Sequence, residues 1–177
     1  MSPSPGAGGY SGTPLAKKLQ VGPGDVVALV GAPRGWTVPD LPEGARVRRS
    51  LGKGAEVVIA FVRRAAELGD VVDAVASVLG TEDSLWIVWP RRAAGHDSDV
   101  TENLLRDVVL PTGLVDVKVA AVGEDWSGLR FVWRREVRAG LADRPGVDRP
   151  GVGRAPHLTG GTTPQGDPTW CPARPVR

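Results

Sequence analysis

Apolar residues gather in short runs at positions 26–30, 54–62 and 85–90, the first of them unbroken, separated by stretches whose apolar positions recur every three or four residues. Continuous apolar runs of this length read as strands covered on both faces, as in a parallel sheet. Between the second and third runs, Leu68, Val71, Val72, Val75, Ala76 and Leu79 keep helical spacing, and residues 63–79 are predicted to form a helix. Val100, Leu104, Leu105 and Val108 do the same for residues 101–109, which end at Pro111 and Gly113. A short helix is expected before the first strand, within residues 10–21, with Thr13 as its N-cap, Pro14 at its first position and Gly22-Pro23 after it.

The end of the pattern differs. Residues 117–122 and 129–137 read as strands joined by a turn over 123–128, too short for a crossover helix, so they are expected to pair antiparallel. Residues 46–50 supply a more polar strand at a sheet edge, and Pro33, Pro39 and Pro42 keep the segment before them from forming a long helix. The expected fold class is α/β: a Rossmann-like three-layer sandwich, mostly parallel, with a C-terminal antiparallel hairpin.

Composition divides the chain into a flexible start (1–9), a Rossmann-like domain (10–138) and a tail (139–177) with seven Gly and seven Pro, in which Asp-Arg-Pro-Gly-Val occurs twice. A tail of this composition is expected to be disordered. Residues 1–138 hold 17 Lys/Arg against 17 Asp/Glu, so the formal charge of +2 comes from the tail's five Arg and three Asp. The domain lacks the basic excess of a nucleic-acid binder, and none is expected as a partner.

Apolar runs of about six residues fall far short of the roughly 20 a spanning helix needs, and the first residues lack the basic start and apolar core of a secretory signal. The expectation is a cytoplasmic protein without a membrane partner. One cysteine, Cys171, and two histidines, His96 and His157, suggest neither a disulfide nor a metal site.

Ligands of open parallel sheets bind beyond the carboxyl ends of the strands, where the strand order reverses. Four loops meet this rule: residues 31–36, 63–64, 90–99 and 123–128. They carry Arg34, Arg63, Arg64, Arg91, Arg92, His96, Glu124, Asp125 and Trp126. Gly31, Arg34, Trp36, Arg63, Arg91, Arg92 and Trp126 are the candidate ligand-binding residues; no catalytic residue and no metal ligand is assigned. Trp36, Trp89 and Trp126 are expected at the rim, with Arg34 or Arg91 against one of these rings. His96 beside Asp97 and Asp99 has the composition of an acid/base group, but an aspartate capping the helix before Val100 is the simpler reading.

The first loop matches a nucleotide cradle only in part. Its glycines, Gly31 and Gly35, stand four apart, and Pro33 removes an N–H from the middle. Val30 replaces the acidic residue expected at the end of the first strand. Arg48 and Arg49 stand where a ribose-binding carboxylate is expected, in a place that suits a phosphate better.

Gly9-Tyr-Ser-Gly-Thr-Pro-Leu-Ala-Lys-Lys-Leu19, Ala28-Leu-Val-Gly-Ala-Pro33, Trp89-Pro-Arg-Arg-Ala-Ala-Gly95, Leu114-Val-Asp-Val-Lys118 and Trp126-Ser-Gly-Leu129 together resemble a family of small bacterial proteins, common in actinobacteria, that share a domain of unknown function. The resemblance covers residues 9–138. It implies the outline of a shortened class I methyltransferase-like Rossmann domain and brings no catalytic residue with it. The leading expectation is a non-catalytic binding or regulatory module for a small anion, nucleotide or protein partner, with no cofactor. The alternative is an S-adenosylmethionine-dependent methyltransferase with an atypical cofactor site. The edge of the C-terminal hairpin is a candidate surface for a homo-oligomer.

Overall fold

The computed structural model describes residues 12–142. Tyr10, His157, Trp170, Cys171 and the repeated Asp-Arg-Pro-Gly-Val lie outside the described residues. The elements in chain order are α1 (Leu15–Lys18), β1 (Val26–Val30), β2 (Arg46–Arg48), β3 (Val57–Phe61), α2 (Leu68–Ala76), β4 (Ser84–Pro90), α3 (Glu102–Val109), β5 (Leu114–Ala121), β6 (Trp126–Trp133) and α4 (Arg135–Ala142). Short 3-10 turns at Ala65–Glu67, Arg92–Ala94 and Leu110–Thr112 adjoin the helices or strands. The six strands form one sheet in the order β2-β1-β3-β4-β6-β5. β1 to β4 are parallel, and β6 lies antiparallel between β4 and β5. This is the predicted α/β architecture with its closing hairpin.

Strand alternation divides the apolar runs between two cores. Val58, Ala60 and Val62, with Leu85, Ile87, Trp89, Leu129, Phe131 and Trp133, face the layer made by Leu68, Val72 and Val75 of α2, Leu105 and Val109 of α3, and Val137 and Leu141 of α4. Val57, Ile59, Phe61, Trp86 and Val88 face the other way, onto Leu15 and Leu19 of α1 and onto Trp36, Val38 and Leu41 of the long loop after β1. Every residue of β3 is buried, which is why that run shows no polar alternation. Each fully buried side chain of this size contributes about 1.5–3 kcal/mol. Two tryptophan N–H groups are satisfied as they enter the core: Trp86 Nε1 donates to the Leu19 carbonyl at 3.1 Å and Trp133 Nε1 to the Leu79 carbonyl at 3.3 Å.

Several boundaries differ from the sequence reading. α1 begins at Leu15 with Pro14 at the N-cap and no side-chain cap, so Thr13 does not serve there. α3 is capped by Thr101, whose side chain accepts from Leu104 N, and not by Asp97 or Asp99. β5 begins at Leu114, and the turn shrinks to residues 122–125 because Trp126 continues the ladder opposite Pro90. β6 stops at Trp133, and residues 135–137, read as strand, open α4. The four-residue spacing of Val137 and Leu141 puts both on the core, which extended backbone would not do. Among the described residues, no helix is long and apolar enough to cross a membrane.

Candidate functional site

The chain runs from β1 outward to β2 and then returns to place β3 on the other side of β1, so the strand order reverses between β1 and β3. Their carboxyl ends lie side by side, with Val30 opposite Ala60, and β4 follows, with Phe61 opposite Val88. Beyond this edge opens a cleft of about 1630 Å³ lined by Arg34, Trp36, Arg63, Arg64, Arg92 and Trp126, together with residues 95–99 and Asp125. The antiparallel insertion of β6 is what brings Trp126 here, since its first residue pairs with the last residue of β4.

Gly31 makes the turn out of β1. It has φ +64°, and a Cβ on it would stand 2.9 Å from the Phe61 carbonyl oxygen. A side chain is thus opposed both by the backbone conformation and by the neighbouring strand. Its own carbonyl accepts from Arg63 Nη1 at 3.3 Å, while the Arg63 guanidinium lies 5.6 Å from the centre of the Trp126 ring. Among the described residues, the cation over an aromatic ring is therefore Arg63, and not the expected Arg34 or Arg91. Phe61, buried at the end of β3, meets Trp36 edge-on at 4.7 Å and Trp126 at 4.9 Å. The Trp36 and Trp126 rings line the cleft, packed on the buried Phe61 ring. Trp89, expected at the rim, is instead buried in the core beneath the helices and borders a separate cavity of about 280 Å³.

Arg49 braces the first loop: Nη1 and Nη2 donate to the Pro33 carbonyl at 3.3 Å, and Nη2 donates to the Trp36 carbonyl at 2.6 Å. Arg48 donates to the Gly52 and Lys53 carbonyls. Both guanidinium groups are committed to backbone, which removes them as a grip for a ribose phosphate. Opposite, the 90–99 loop is held by Arg92, whose Nε and Nη2 both donate to the Ser98 carbonyl, and Asp99 accepts from Ala65 N at 2.9 Å.

His96 pairs with neither Asp97 nor Asp99. Its Nε2 lies 2.8 Å from Asp125 Oδ1, joining the loop after β4 to the turn before β6. Both partners are exposed, at 44% and 62%. Of the predicted site residues, then, the fold gathers Arg34, Trp36, Arg63, Arg92 and Trp126 around one cleft with Gly31 at its root, while Arg91 lines the smaller cavity. Phe61, Ser98 and the Asp125 partnership were missed, the first because it reads as one more apolar strand residue. Among the described residues, no group of three or more His, Cys, Asp or Glu side chains could hold a metal ion.

Asp83 and Arg130, both outside the cleft, are perturbed by burial. Asp83, before β4 at the amino end of the parallel strands, has its carboxyl raised above the usual range by burial; its hydrogen bond from Gly80 N opposes the shift, and the charges of Glu56, Glu82 and Asp25 add to it. Arg130, in mid-β6, is lowered by burial and by the charge of Arg138, and its Nε is a buried donor without a partner.

No family model matches the chain, and no curated protein matches it. Solved structures do resemble it. An S-adenosylmethionine-dependent methyltransferase from Aquifex aeolicus superposes with a TM-score of 0.50 at 12% identity, over 66% of this chain and 86% of that one. A fibrillarin pre-rRNA processing protein from Methanococcus jannaschii gives 0.47 at 14% identity, over 71% and 70%. A riboflavin-analogue dimethyltransferase from Streptomyces davawensis gives 0.43 at 14%, over 62% of this chain and only 50% of that one, so the chain spans about half the length of that relative. At these identities the likeness is one of architecture, and the chain has a methyltransferase-like Rossmann fold.

Proposed function

We propose that the cleft binds S-adenosylmethionine and that the domain serves methyl transfer, with a cofactor site built differently from the usual one. The observation that carries this reading is the position of the cleft, beyond the carboxyl ends of β1 and β3 where strand order reverses, in a fold whose Aquifex neighbour is named as a methyltransferase dependent on that cofactor.

The fit is partial. Gly31 makes the tight turn out of β1 at the foot of the cleft, and Trp36 and Trp126 line it as aromatic side chains, with the Arg63 guanidinium beside the Trp126 ring. The usual ribose carboxylate is replaced by Arg48 and Arg49, and Pro33 withdraws an N–H. Bound there, the cofactor would supply an electrophilic methyl group; the chain's own residues supply shape and charge.

A second reading, a non-catalytic module for a small anion, nucleotide or protein partner, draws support from this replaced ribose grip. Thermal unfolding with S-adenosylmethionine, S-adenosylhomocysteine, NAD, NADP, ATP, GTP and phosphate separates the two. A ligand present at about 100 times its Kd adds about 2.7 kcal/mol. Stabilisation by S-adenosylmethionine and its demethylated product is the expected result; if neither stabilises the protein, the methyl-transfer reading falls and the second takes its place.

A further inference from the structure

Most arginines near the cleft serve the protein itself. Arg49 binds the carbonyls of the first loop, Arg63 spends its guanidinium on Gly31 and Trp126, and Arg92 closes its own loop through Ser98. Arg34 and Arg64 do neither. Both are exposed on the cleft lining, and neither guanidinium makes a hydrogen bond or ion pair with any described residue. Nearby carboxylates are already engaged: Asp99 with Ala65 N, Asp125 with His96, and Glu67 with Arg63 N. Asp97 lines the cleft with no hydrogen-bond partner among the described residues, and the lining carries four arginines, Arg34, Arg63, Arg64 and Arg92, against three aspartates, Asp97, Asp99 and Asp125.

The two arginines come from the loops after β1 and after β3, one on each side of the switch point. A guanidinium offers a planar fork of donors that matches phosphate oxygens, and two of them can share a dianion. We propose that Arg34 and Arg64 form an anion subsite of this cleft, which takes a phosphate-bearing small molecule. Under the methyl-transfer reading that molecule is the acceptor, and this part of the inference rests on that reading; the binding of the anion does not.

The test compares the wild type, Arg34→Ala with Arg64→Ala, and Arg91→Ala. Arg91 is a control for general charge, since its guanidinium has no described partner and it lines the smaller cavity instead. Affinity for pyrophosphate and for ATP is measured at fixed ionic strength by calorimetry. The double variant is expected to bind each about tenfold or more weakly, from the loss of charge-assisted hydrogen bonds, with Arg91→Ala within about twofold of wild type, as a charge at a distance from the anion is screened. No binding by wild type, equal binding by the double variant, or an equal loss in Arg91→Ala would overturn the subsite. A short single-stranded RNA that binds where ATP does not would overturn the assignment to a small molecule.

A parallel titration with S-adenosylmethionine keeps the two readings apart. Its failure with pyrophosphate binding intact removes methyl transfer and leaves the subsite. The reverse result removes the subsite alone.

Discussion

Gly31 and Phe61 stand so close that a single methyl group on the glycine would lie 2.9 Å from the phenylalanine carbonyl oxygen. This contact locks the exit of β1 against the end of β3, where the cleft begins, and it makes the glycine structural before it is functional. Gly31→Ala is expected to cost about 1–2 kcal/mol for the left-handed backbone alone, and more once the strands are pushed apart. Urea denaturation measures this, and an unchanged midpoint would contradict the tight turn. Gly35→Ala, at φ +75° with nothing within 4 Å of its Cβ, is expected to show only the backbone part.

Gly128 in β6 supplies a second steric prediction. A Cβ there would stand 2.7 Å from Val122 Cγ2 and 3.2 Å from the Trp86 ring. Trp86 is fully buried and tied through its ring N–H to the Leu19 carbonyl, so it yields little. Gly128→Ala is expected to destabilise the fold by about 1–3 kcal/mol, as overpacking does, and to perturb the indole environment seen in near-ultraviolet circular dichroism.

Asp83 predicts a pH dependence. Its carboxyl is raised in the folded state, chiefly by burial, above the ordinary value of 3.8. The native state therefore favours the protonated form. The stability this confers is fully present below pH 3.8 and is lost as pH rises through the raised value. Asp83→Asn keeps an oxygen for Gly80 N and removes the charge. The variant's stability relative to wild type is expected to increase between pH 4 and 7, as read from chemical unfolding at a series of pH values. A flat difference would show that the carboxylate is better solvated than its setting indicates.

β5 is the open edge of the sheet beside β6, and Val117 and Val119 on it are 50% and 48% exposed. A second copy pairing along this edge would meet the register shift between Asp116 and Lys118 and the exposed Lys118 itself, two features that blunt edges. The expected mass in light scattering is that of a monomer at two protein concentrations. A mass that rises with concentration and returns to monomer in Val117→Lys with Val119→Lys would instead support a homo-oligomer built on this edge.

The parallel strands were legible because burial on both faces leaves an unbroken apolar run, and the helices because their apolar stripe repeats every three to four residues. The β6 boundary was not, since Leu129, Phe131 and Trp133 alternate as a strand should, and only the packing of Val137 and Leu141 against the core shows where helix takes over. The loops of the cleft were legible from the general rule that the carboxyl ends of parallel strands carry sites. The partners within them were not: His96 with Asp125 is a contact across 29 residues, and no local spacing encodes it.

By itself the sequence determined the α/β class, the hairpin, and the arginine-rich loops, because these depend on periodicity and residue type along the chain. Tertiary structure decided which arginines are free. Arg48, Arg49, Arg63 and Arg92 look the same as Arg34 and Arg64 in sequence, and they differ only because folding brings backbone carbonyls of other turns within reach of some guanidinium groups and leaves the others facing the cleft.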